Sequence, residues 1–139
     1  MSATNYLELK LVDLVFGLSA YTGSATLYFG LSTADPTEAG VYTYEPDSTG
    51  AYSRVVVTNN GTNFPTGNPK SNGTAITFPV STAAWSTTTT PLTHWFVTDS
   101  ATLGAGDMLM SGAVTTSRVV DAAGIILEFA IGSITITAD

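Results

Sequence analysis

The chain has no cysteine, one histidine, and four Lys/Arg residues against eleven Asp/Glu in 139 residues. Each scarcity removes a class of function. Without thiols there is no disulfide framework and no thiolate metal site. With four cations and a net charge of −7, no basic patch forms, which argues against nucleic-acid binding by phosphate neutralisation. No run reaches the ~18 apolar residues of a spanning helix, so no membrane span is expected. The stretch Met1–Asn5 carries neither a basic region nor a long apolar core, so no secretory signal is expected and synthesis is placed in a cytoplasm.

What the chain has instead is hydroxyl and amide residues, glycine and apolar side chains. Hydrophobic residues make up 44% and charged residues 11%, the latter about half the usual ~25%. Strands that turn Thr, Ser and Asn outward rather than salt bridges have this composition. The length fits one domain, 1–139, and suffices for a substantial core.

The stretch Thr26–Pro36 organises the pattern. Leu27, Phe29 and Leu31 alternate with Thr26, Tyr28 and Gly30, which predicts a strand covered at least partly on both faces. Gly30 admits the close approach of another backbone or a large ring. Pro36 stops the strand. Before it, residues 5–16 read as the one helix. Leu7, Leu11, Leu14 and Val15 recur at helical spacing, Asn5 and Glu8 are placed as an N-cap pair, and Gly17 is placed as the C-cap. So apolar a helix must lie on something, either its own sheet or a neighbouring subunit, and the first weighs more. After the organising strand, further strands are predicted at 52–60, 75–79, 92–98, 108–114, 117–120, 125–131 and 134–137. The prediction is an all-β fold, an antiparallel β-sandwich or jelly roll of about eight strands with one short N-terminal helix.

No residue set calls for chemistry. His94 lies between Thr93 and Trp95 in a predicted strand, and no nucleophile elbow accompanies it, so a structural or interface role outweighs a catalytic one. Asp35 and, in the loop 37–50, Glu38, Glu45 and Asp47 form an acid cluster, but their spacing matches no calcium loop, and a solvated turn explains them better. Glu128 is the one acid inside an apolar strand, without an obvious second carboxylate for glycoside hydrolysis. Trp85 and Trp95 would suit sugar stacking, but in a β-sandwich such rings belong first to the core. No phosphate-binding loop opens a helix. No catalytic, metal or cofactor residue is assigned. The candidate interface residues are Tyr6, Leu7 and Leu11 on the helix and Tyr42 and Tyr44 in the acidic loop.

Read as an ordered series, several short stretches resemble a family of small tailed-bacteriophage virion proteins, the tail fibre-like and head decoration proteins. They are Asn5-Tyr6-Leu7-Glu8, Leu14-Val15-Phe16-Gly17, Ala25 through Pro36, Gly50-Ala51-Tyr52-Ser53-Arg54-Val55, Thr58-Asn59-Asn60, Asn63-Phe64-Pro65, Lys70-Ser71-Asn72-Gly73, Ile76-Thr77-Phe78-Pro79, Thr93-His94-Trp95 and Ser133-Ile134-Thr135-Ile136-Thr137. The series spans nearly the whole chain. It departs from the family pattern at Trp85–Thr90, where a Thr run stands for a short Trp-Gly turn, and at Trp95, often a smaller residue. The resemblance implies a non-enzymatic virion component, made in the bacterial host cytoplasm and present in many copies. Its expected form is a capsid decoration (cement) protein that binds the major capsid protein and itself, as a trimer or dimer, with no cofactor. The alternatives are a tail or tail-fibre component touching a host surface glycan, and a carbohydrate-binding β-sandwich.

Overall fold

A computed structural model describes residues 2–137; the ends of the expected 1–139 domain lie outside the described residues. The order is β1 (Ser2–Ala3), α1 (Asn5–Val15), β2 (Thr26–Ser32), β3 (Val55–Thr58), β4 (Lys70–Ser71), β5 (Ile76–Thr77), β6 (Leu92–Thr98), β7 (Met108–Arg118), β8 (Glu128–Phe129) and β9 (Thr135–Ile136). β1, β7, β6, β2 and β3 form one sheet in that order, and β4–β9 and β5–β8 form two separate ribbons. Every pairing is antiparallel. The protein is therefore all-β with one short N-terminal helix.

β6 is the middle strand, and β2 lies between it and β3. Register puts Phe29 opposite Val55 on one side and Val97 on the other, and Leu31 opposite Trp95. These side chains share one face. Over it lie Phe64, Ile76, Phe78, Trp85, Val120 and Ile134 from the ribbons and the loops around them. Phe29 stacks on Phe64 at 6.1 Å and tilts against Trp95 at 6.3 Å.

The second layer is short on ladder, and buried polar side chains supply what its backbone lacks. Asn72 donates to the carbonyls of Thr74 and Ala130 and accepts from the Ile134 amide, each at 2.9 Å. The Ser81 hydroxyl donates to the Ala122 carbonyl and accepts from the Ile125 amide. Ser86 accepts from the Val120 amide. Most of these bonds join distant segments and take up backbone groups that a ladder would otherwise pair. That is why the predicted strand 125–131 shrinks to Glu128–Phe129.

Other boundaries differ from expectation as well: the predicted strands 75–79 and 134–137 shorten to Ile76–Thr77 and Thr135–Ile136, and the predicted helix 5–16 ends at Val15. β7 is one strand through Arg118, joining the predicted 108–114 and 117–120 segments. Residues 52–54 precede β3 because Tyr52 turns inward: its hydroxyl accepts from the Leu31 amide at 2.9 Å, next to where β3's pairing with β2 ends at Phe29–Val55. The N-cap is Thr4 rather than Asn5.

Candidate functional site

The acidic loop folds over the second face of the sheet. Phe96 of β6 stands on Gly30 of β2, so close that a Cβ on Gly30 would sit 2.1 Å from the ring. Glycine is required there by the ring's approach. Tyr42 meets Phe96 edge-on at 5.5 Å, and its hydroxyl donates to Thr98 Oγ1 at 2.9 Å. Arg54 sits 4.7 Å from the Tyr42 ring centre and 5.2 Å from that of Phe96.

Arg54 is the buried cation around which this layer closes. Its Nε and Nη2 donate to the two carboxylate oxygens of Glu45 at 2.7 and 2.8 Å, and Nη1 donates to the carbonyls of Ser100 and Ala105. Glu45 also accepts from the Gly104 amide. A bidentate pair whose guanidinium also donates to two carbonyls is the form in which burying two charges is tolerated. One ion pair thus joins the loop 33–54, the turn 99–107 and the sheet. Burial pushes the Tyr52 phenol well above its ordinary range, and Glu45 nearby adds to the effect. Burial likewise raises Tyr42.

The other residues singled out by sequence are put to structural use. His94 is half-buried, with Nδ1 2.9 Å from the Thr93 hydroxyl. Asp35 accepts from the Thr37 amide, and Asp47 from the Thr49 amide. Hydrogen bonds from the Thr49 hydroxyl and amide hold Asp47 below the usual carboxylate range. Glu128 is exposed and accepts from its cross-strand neighbour Thr77 at 2.7 Å. Trp85 and Trp95 are buried, and Trp85 donates to the Gly50 carbonyl, so neither ring offers a face to a sugar.

The feature without an internal use is α1. Its start is well anchored. The Thr4 hydroxyl donates to the Met108 carbonyl, the Thr4 amide donates to Leu109, and the Asn5 amide donates to Glu38. A bulge in the β6–β7 pairing leaves Leu109 without an opposite residue, and its carbonyl accepts from the Thr4 amide. Its end is equally regular: Gly17 has φ +69°, and Leu18 and Gly17 donate back to Asp13 and Leu14 in a Schellman turn. Between those ends no α1 residue is buried. Tyr6 and Leu7 pack against the core, but Leu9, Leu11, Val12, Leu14 and Val15 are exposed, as are Phe16 and Leu18 just beyond. The expectation that α1 lies on its own sheet thus holds for its first turn.

Beside that first turn a groove of about 780 Å³ opens between α1, the core sheet and the 59–70 loop. Leu7, Leu27, Phe29, Val97, Leu109 and Ile136 line it on the apolar side, and Asn59, Asn60 and Lys70 line its rim. Tyr6, Leu7 and Leu11 therefore share one element. Tyr42 is turned inward on the other face of the sheet, and Tyr44 is exposed apart from them. Sequence reading missed the Glu45–Arg54 pair. Its signal was a lone arginine opening an apolar Val-Val-Val run, which needs a buried acid as partner.

No helix among the described residues is long and apolar enough to cross a membrane. A family model described as the podophage GP4 fiber I protein gp80 matches residues 2–137. No curated protein matches the chain.

Proposed function

The chain belongs to the podophage GP4 fiber I protein gp80 family, phage fibre-type structural proteins, and from that premise we propose that it is a non-enzymatic building block of a tailed-phage particle, working through protein–protein contact. The observation that carries this reading is α1: an anchored, capped helix whose apolar side chains stay in water until another body covers them. Exposed apolar surface of this extent marks an interaction site. The buried His-free ion pair and the hydroxyl-bonded His94 fit a protein whose polar groups are spent on holding its shape.

The family description favours a place in a fibre, where the partners are further copies of the chain and, at the host, a surface glycan. A capsid decoration role, binding the major capsid protein lattice and stabilising the head by mass action, is the second reading. The single core cluster under the five-stranded sheet, a compact body suited to seating on a lattice, supports it.

Quantitative mass spectrometry of purified particles separates the two. A fibre component is present in a few tens of copies or fewer, and a decoration protein in hundreds. Particles lacking a decoration protein lose DNA at lower temperature, whereas loss of a fibre component leaves head stability unchanged and lowers adsorption. Absence of the protein from purified particles overturns both.

A further inference from the structure

α1 is apolar on two opposite sides. Leu7, Leu11 and Leu14 form one edge and Leu9, Val12 and Phe16 the other, each with the three- and four-residue spacing that lines up side chains along a helix. A helix apolar on two opposite sides needs cover on both. Here its own body meets it only near Tyr6 and Leu7, on the edge that borders the groove. The opposite edge points away from that contact, and each of its three side chains is more than half exposed.

We propose that the occupant of the groove is the Leu9–Val12–Phe16 edge of α1 from a second copy of this chain, so that the helix of one copy lies between its own groove and its neighbour's. Three observations favour a second copy. The first is area. With exposures of 46–77%, the seven exposed side chains from Leu9 to Leu18 present on the order of 800 Å², about what each partner contributes to a stable interface. The second is continuity. Leu7 belongs both to α1 and to the groove wall, so a helix laid in the groove extends the same apolar strip along Leu11 and Leu14. The third is charge. The rim carries Lys70, whose ammonium binds only carbonyl oxygens of Phe64 and Pro65 among the described residues, while α1 carries Glu8 and Asp13. A lipid surface suits it poorly: anionic bilayers recruit polybasic segments, and this chain has four Lys/Arg and a net charge of −7.

The inference rests on the self-assembly part of the proposed function but not on the place in the particle. The chain has no cysteine, so site-directed cross-linking is clean. Full-length F16C and N60C are purified separately, mixed, and treated with a short bismaleimide. Native mass spectrometry gives the assembly state of the wild type and of V12E, with circular dichroism as the check on folding. The expected result is an oligomeric wild type, a folded V12E whose dissociation constant is at least about tenfold higher, and a cross-linked F16C–N60C pair. T89C, in the exposed loop 87–90, should give no product with F16C. A monomeric wild type overturns the proposal, even where particle counts place the protein in the virion. So does an oligomer unaffected by V12E, or one in which F16C links only to F16C, which would mean that helices meet helices and leave the groove empty.

Discussion

Arg54 is held where water does not reach, with side-chain exposure of 0% against 2% for Glu45. Removing one partner strands the other charge, so R54M or E45L alone should cost about 3–5 kcal/mol in urea unfolding. The double variant R54M/E45L should recover much of that loss, because neither charge is then stranded. Two single losses that simply add in the double variant would refute the pairing as the closure of this layer. Tyr52 supplies a pH signature from the same site. Its folded pKa is raised, so its contribution to stability is complete below the unfolded value of about 10 and is lost as pH rises above it. Above that point the group should lower the unfolding free energy by about 1.4 kcal/mol per pH unit, and Y52F should remove that share of the slope. An unchanged slope in Y52F between about pH 10 and pH 11 would place the alkaline loss elsewhere. At this scale the sequence was partly legible. Gly30 between large residues pointed to the close approach of another backbone or a large ring, and the Phe96 ring is what stands there. The Glu45–Arg54 pair was not legible, because which of several loop acids turns inward depends on the sheet beneath it.

Elements with long local patterns were readable, and those fixed by distant partners were not. β2 and β6 carry seven residues each of apolar alternation and lie where the sequence puts them. β1 and β4 are two residues long and exist because β7 and β9 lie beside them, so nothing in Ser2–Ala3 or Lys70–Ser71 marks a strand. α1 was legible as a helix and its exposure was not, because periodicity reports which side chains are apolar and not what covers them. Its energetics follow from that exposure. An isolated helix of eleven residues is marginal in water, and here packing supports only the first turn. Hydrogen exchange should therefore find the amides of residues 9–15 opening far more readily than those of β2 and β6 in dilute protein. The same amides should become protected as concentration rises and α1 is covered. Equal protection of α1 and the sheet at all concentrations would mean that the helix is stabilised within one copy.

For the whole molecule, two forces oppose each other at assembly. Apolar area on α1 favours contact, while a net charge of −7 on every copy disfavours it. The first force changes little over moderate salt, and the second is long-ranged and screened. Raising ionic strength from about 0.01 to 0.15 M shortens the Debye length from about 30 to 8 Å, which removes most of the repulsion between copies. Self-association should therefore tighten with added sodium chloride over this range. The Lys70 rim contributes a shorter-ranged attraction that salt weakens, so the K70Q variant should show a steeper gain with salt than the wild type. Sedimentation equilibrium at several salt concentrations measures both. Association that weakens steadily with salt would show that ion pairs, and not the apolar helix, hold the copies together.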